Sequence, residues 1–124
     1  MDMKFIKVPD LPEPAGHYSP AVSANGFVFV AGQLPRDAHG VVPAGIDAQV
    51  RQAFANVDAV LRAAGSSLER IVSVTVYVTD IDNWPTVNAA YAAVLGNHKP
   101  ARTIAVSPQL HFGCLLELQV VALA

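Results

Sequence analysis

Apolar positions along this chain recur with two different periods, and the switches between them mark its elements. Ile46, Val50, Phe54 or Ala53, Val57, Leu61 and Ala64 return at helical spacing, opposite a face of Gln49, Arg51, Asn56 and Arg62. Gly65 is placed to end that helix as its C′ residue. In IVSVTVYVTD, valine takes alternate positions and Ser73, Thr75, Tyr77 and Thr79 lie between, which predicts a strand with one dry and one mildly polar face. Asp82 is the expected N-cap of a second helix, Trp84-Pro85 suits its first turn, and Val87, Ala90, Tyr91, Val94 and Leu95 form its stripe up to Gly96-Asn97. Shorter strands account for the rest. Met3–Val8 opens the chain, and Tyr18–Ser23 pairs antiparallel with Phe27–Gln33 across Asn25-Gly26, a strong hairpin signal. RTIAVSPQ and CLLELQVVALA close it as two strands joined around Pro108 and Gly113.

The order β-β-β-α-β-α-β-β predicts an α+β layer: a mixed sheet with two helices on one face. Two helices cover one face only, yet Val28, Val30, Leu116, Leu118 and their neighbours supply apolar residues for both. The bare face is therefore expected to meet other subunits. Composition points the same way. With 52% hydrophobic and 15% charged residues in 124, the chain is richer in apolar and poorer in charged residues than an average domain, and an obligate interface resembles a core cut in half.

No repeat or linker divides the sequence, so residues 1–124 are read as a single domain. No apolar run approaches the ~18 residues of a membrane span. The N-terminal segment breaks at Pro9-Asp10 without an apolar h-region, so a signal peptide is not expected and the cytoplasm is the expected location. The single cysteine, Cys114, excludes an internal disulfide framework. The formal net charge is −2 and the basic residues are scattered, which argues against a nucleic-acid partner.

Against this sparing use of charge, two residues stand out. Arg102 heads the apolar run TIAV, and Glu117 sits in the middle of CLLELQVVALA. A lone carboxylate buried in a strand is costly, so Glu117 calls for a partner. If the last two strands form a hairpin, setting Val106 opposite Gly113 puts Arg102 directly opposite Glu117. Setting Ser107 opposite Cys114 puts them on a same-face diagonal, and the intermediate register sends them to opposite faces. Two readings of the pair then stand side by side. One is a salt bridge that stabilises the hairpin or a subunit contact. The other is a site, with Arg102 gripping a substrate carboxylate in bidentate fashion and Glu117 positioning water.

A longer series of motifs bears on that choice. Gly16-His17-Tyr18, FVFVAGQLP, VRQAFANVDAVLRAAGSSLERIVSVTVYVTD, VNAAYAAVLG, KPARTIAV and LLELQVVAL follow one another in register from about Gly16 to Leu123. Together they resemble the Rid/YjgF family of reactive intermediate deaminases. The resemblance implies a chorismate-mutase-like fold and a homotrimer with three clefts between subunits. It implies hydrolysis of enamines and imines, such as 2-aminoacrylate and 2-iminopropionate, to 2-keto acids and ammonia. The partner is then a small imino, enamino or keto acid, with no metal and no organic cofactor. By the same resemblance Arg102 binds the substrate carboxylate, Glu117 holds the attacking water and Tyr18 lines the cleft. Gly32 contributes backbone and Asn88 belongs to the cleft region. Ala31 and Ile104 stand where the family often has serine and cysteine, and His17 replaces a proline, so the pocket is expected to be more apolar and to suit a larger imino acid.

Other classes were weighed on the same residues. His111 lies three positions before Cys114, but that spacing fixes no nucleophile–base contact. His17, His39, His98 and His111 are too dispersed for a metal set. Trp84, Tyr91 and Phe54 follow helical stripes and are expected in the core. A ribonuclease would want a basic surface interleaved with aromatics. A non-catalytic trimer that binds small carboxylates would use Arg102 but would not need Glu117.

Overall fold

A computed structural model of the chain describes residues 2–124. Its elements are β1 (Met3–Ile6), β2 (Ala21–Ala24), β3 (Phe27–Gln33), α1 (Ile46–Ala63), β4 (Ile71–Val78), α2 (Trp84–Leu95), β5 (Ala101–Val106) and β6 (Leu116–Leu123). The predicted order and types hold. Asn25 (φ 53°) and Gly26 (φ 83°) both take the left-handed conformation that a tight hairpin turn requires, and they connect β2 to β3 in register Ala24 with Phe27. Gly65 follows α1 at φ 80°, and its N–H bonds back to the Arg62 carbonyl at 3.0 Å.

Three boundaries differ from expectation. Tyr18 lies in the loop before β2 rather than within it. The chain leaves β1 at Ile6, short of Pro9. A short 3-10 turn, Ile81–Asn83, intervenes before α2, so Asp80 caps that turn by accepting from the Asp82 N–H at 2.9 Å, and Asn83, not Asp82, is the residue preceding α2.

The sheet is mixed, with strand order β1-β2-β3-β6-β4-β5. The last strand lies in the middle, antiparallel to both β3 and β4, and β5 runs parallel to β4 at an edge. The expected hairpin between the last two strands therefore does not form. The physical reason is twofold. A strand–helix–strand unit such as β4-α2-β5 returns its second strand parallel to the first. The strand with the most complete apolar face also takes the most covered position: Leu116, Leu118, Val120 and Ala122 of β6 are fully buried beneath α1, whereas Ala101, Arg102 and Thr103 of β5 are exposed.

Both helices pack on one face, where Val50, Phe54, Val57 and Leu61 meet Val28, Val30, Val74, Val76 and β6. Phe54 and Tyr91 join α1 to α2 edge to face, 5.3 Å between centroids. The other face carries Phe29 and the edge residues Met3 and Phe5, all well exposed, beside half-buried Val22, Val121, Tyr77 and Thr75. No helix among the described residues is long and apolar enough to cross a membrane.

Leu118→Ala, which opens a cavity at the centre of β6, is expected to lower unfolding free energy by about 2–5 kcal/mol in urea titration. Val41→Ala, at a position 57% exposed, is expected to stay within about 0.5 kcal/mol of wild type.

Candidate functional site

Arg102 belongs to edge strand β5, level with Val74 of β4, and so faces the helix side of the sheet. Helix α2 passes over that edge and presents Trp84, Asn88 and Tyr91, which share a face by their spacing of four and three. The Arg102 Nη1 donates to Asn88 Oδ1 at 3.0 Å, and the guanidinium lies 4.6 Å from the Trp84 ring centre and 4.9 Å from that of Tyr91. Stacking of this kind holds an arginine in place without neutralising it. No carboxylate pairs with it: the ion pairs among the described residues are Arg51–Asp47 and Arg62–Asp58, both along α1. The guanidinium borders a groove of about 350 Å³ with Asn88, Tyr91, His98 and Lys99. The Tyr91 hydroxyl is buried there without a hydrogen-bond partner, and burial raises its pKa against the opposing pull of Arg102. Ile104 lies two residues further on, half-buried against the core under the helices, and does not line the groove.

Glu117 occupies the opposite face. Its neighbours Leu116 and Leu118 point to the core, and it stands across from Tyr77 on the open side. A bulge between Val30 and Gln33 interrupts the β3–β6 ladder beside it. There the Ala31 N–H turns away to the Pro20 carbonyl at 2.9 Å, and Gly32 comes against the Glu117 carboxylate so closely that a Cβ would stand 2.5 Å from Oε2. A side chain at Gly32 would therefore push the Glu117 carboxylate aside. Tyr18, 58% exposed, lines a cavity of about 520 Å³ with Gly16 and Gly32. Burial pushes the Glu117 carboxyl above its ordinary range, and His111 pulls part of the way back.

The structure therefore gathers the sequence-derived residues into two groups. Tyr18, Ala31, Gly32 and Glu117 form one, and Arg102 and Asn88 form the other. The expected contact of Arg102 with Glu117 is overturned within one chain. Strand β4 lies between their strands, two spacings or roughly 10 Å, and the side chains leave opposite faces of the sheet. Trp84, expected in the core, is half-buried and serves as the arginine's platform; its spacing to Asn88 and Tyr91 was the available signal. His111, weighed as a base for Cys114, is tied to it through a backbone bond, Cys114 N–H to the His111 carbonyl at 3.1 Å. Burial pushes that thiol up, away from nucleophilic character. No group of three or more His, Cys, Asp or Glu among the described residues is arranged to hold a metal ion.

Comparison with known proteins assigns the chain's relatives. The profile of the family described as endoribonuclease L-PSP matches residues 9–124. A RutC family protein of Aquifex aeolicus is 40% identical over 123 residues, covering 97% of this chain and 98% of its own. The crystal structure of YyfA from Yersinia pestis, a protein of the conserved Rid family, superposes with a TM-score of 0.94 at 33% identity over 99% of this chain and 100% of its own. Escherichia coli TdcF, crystallised with bound serine, gives a TM-score of 0.92 at 30% identity, covering 98% of each chain.

The Glu117 side chain is expected to titrate above the ordinary glutamate value of 4.5, measured by carbon NMR of its carboxyl. Because the folded state then holds a proton that the unfolded state has released, wild-type stability relative to Glu117→Gln is expected to fall as pH rises through that titration. Gly32→Ala is expected to shift the titration while leaving circular dichroism intact, since the atom displaced is the end of a flexible side chain.

Proposed function

The chain belongs to the Rid/YjgF family, and from that premise we propose that it hydrolyses reactive imines and enamines of small 2-amino acids to 2-keto acids and ammonia, as a homotrimer. A cytoplasmic location is part of the same proposal. The observation that carries it is the state of Arg102: a guanidinium fixed by Asn88, Trp84 and Tyr91, open to a groove and without a carboxylate partner. Such a group is prepared for a carboxylate that arrives from outside, and TdcF, a relative of similar fold, was crystallised with the amino acid serine.

The separation of the two groups supports the assembly. In our reading Arg102 of one subunit faces Tyr18, Gly32 and Glu117 of the next, so that each cleft needs two chains. The exposed apolar residues of the open face, Phe29 among them, are then covered by neighbouring subunits.

The chemistry asks for orientation more than force. An enamine first tautomerises to its imine, and a protonated imine is already electrophilic. Arg102 holds the substrate carboxylate, and the ionised Glu117 takes a proton from water as the oxygen adds to the imine carbon. The proton returns to nitrogen, Glu117 then takes the hydroxyl proton as the C=O bond forms and the C–N bond breaks, and ammonia leaves behind the keto acid. A carboxyl raised by burial is a better base for this than an exposed one.

Ammonia release from imines made in situ by an amino-acid oxidase is expected to accelerate with the protein. Arg102→Ala is expected to cost about 10- to 100-fold in kcat/KM, the scale of a lost hydrogen bond to a charged group. Glu117→Gln is expected to remove the acidic limb of the pH profile. Co-expression of Arg102→Ala with Glu117→Gln is expected to return roughly a quarter of wild-type turnover, because each mixed trimer rebuilds one cleft in three; a site within one chain would return none. A sensor that binds carboxylates without turnover would instead keep full function in Glu117→Gln.

A further inference from the structure

Arg36 is a second guanidinium without a carboxylate, and it is held as firmly as the first. The chain turns sharply at Leu34–Arg36, with Arg36 N–H donating to the Leu34 carbonyl at 2.8 Å. Buried Asn56 of α1 donates to both the Leu34 and the Arg36 carbonyls, at 3.0 and 2.8 Å, and anchors the turn to the helix. From there the side chain reaches over Phe112, its guanidinium carbon 3.8 Å from the ring centre. The ring is set under it by a left-handed backbone at Phe112 (φ 61°), rare for an aromatic residue, with the His111 ring edge-on beside it at 5.7 Å. One terminal nitrogen stands 3.0 Å from where a side chain at Gly40 would begin, so Gly40 leaves room for it.

The partner one would look for first is already engaged. The Asp37 carboxylate accepts from the His39 and Val41 N–H groups at 2.8 and 2.9 Å, and those bonds hold it below the ordinary aspartate range. The Arg36 Nε is fully buried with no hydrogen-bond acceptor. That nitrogen faces away from solvent, and the Phe112 platform holds the rest of the guanidinium without neutralising it. Arg36, Gly40, His111 and Phe112 line the same 520 Å³ cavity as Tyr18 and Gly32. That cavity therefore runs from the Glu117 neighbourhood to a fixed, unpaired cation.

We propose that Arg36 is a specificity-determining residue that binds the distal carboxylate of a dicarboxylic 2-imino acid, the 1-carboxylate being held by Arg102 of the adjacent subunit. The inference rests on the deaminase reading for its substrate and on the geometry around Arg36 for its anchor. A carboxylate suits the site: it meets one planar guanidinium in two parallel hydrogen bonds, whereas a doubly charged phosphate would find no second guanidinium or ammonium in the cavity lining.

The test is calorimetric binding of two stable keto acids, 2-oxoglutarate and 2-oxobutyrate, to the assembled protein, with Arg36→Gln and Arg36→Lys beside wild type. Wild type is expected to bind 2-oxoglutarate about 10- to 100-fold more tightly, Arg36→Gln to reduce the ratio to about threefold or less, and Arg36→Lys to restore part of it. Equal affinity for the two acids, no binding of 2-oxoglutarate, or a preference that survives Arg36→Gln overturns the proposal. So does loss of the oligomer in Arg36→Gln by light scattering, which would make the arginine an interface residue. The two readings fail separately. Arg36-dependent binding of 2-oxoglutarate with no acceleration of any imine sinks the deaminase and keeps the anchor. Acceleration of small imines without the dicarboxylate preference does the reverse.

Discussion

The antiparallel insertion of β6 between β3 and β4 is the constraint on which the rest of this structure depends. Its alternate residues Leu116, Leu118, Val120 and Ala122 form the dry midline of the sheet, and α1 closes over them. That midline fixes which way every other residue of the strand faces. Glu117 must emerge on the open side, beside the bulge of β3, while β5 is displaced to the edge with Arg102 under α2.

Charge in this chain is scarce, and its disposition separates scaffold from site. Arg51 and Arg62 each pair with an aspartate four residues earlier on the surface of α1, and Arg70 donates to the Ala124 carbonyl at 2.7 Å. Arg36 and Arg102 instead lie on aromatic rings beside cavities, their positive charge unanswered. Exposed pairs on a helix contribute little either way. An arginine stacked, oriented and unpaired is a different object, because the protein has already met the cost of orienting it.

What the sequence disclosed follows from which interactions are local. Helical spacing disclosed α1 and α2, alternation disclosed β4, and Asn25-Gly26 disclosed the hairpin, since each depends on neighbours within a few residues. The partner of β6 depends on residues far away: Phe27 pairs with Leu123 and Ile71 with Ala122. Consecutive strands suggest a hairpin there, whereas the helix between β4 and β5 favours the parallel pair that the structure holds. Arg102 and Glu117 stand out as charges in apolar strands, and the motif series adds Tyr18 and Gly32 as candidates. No pattern in the sequence singles out Arg36, because it lies between elements and its platform, Phe112, joins it only once the chain has folded.

The central place of the last strand also governs how the molecule must come together. Until β6 is available, β1-β2-β3 and β4-α2-β5 are two incomplete sheets, each with an open hydrogen-bonding edge toward the midline and with the core face of α1 half covered. Contacts such as Phe27 with Leu123 close loops of about three quarters of the chain, and closing such loops is slow. The two strand edges that flank the midline are thus satisfied together, by the same strand.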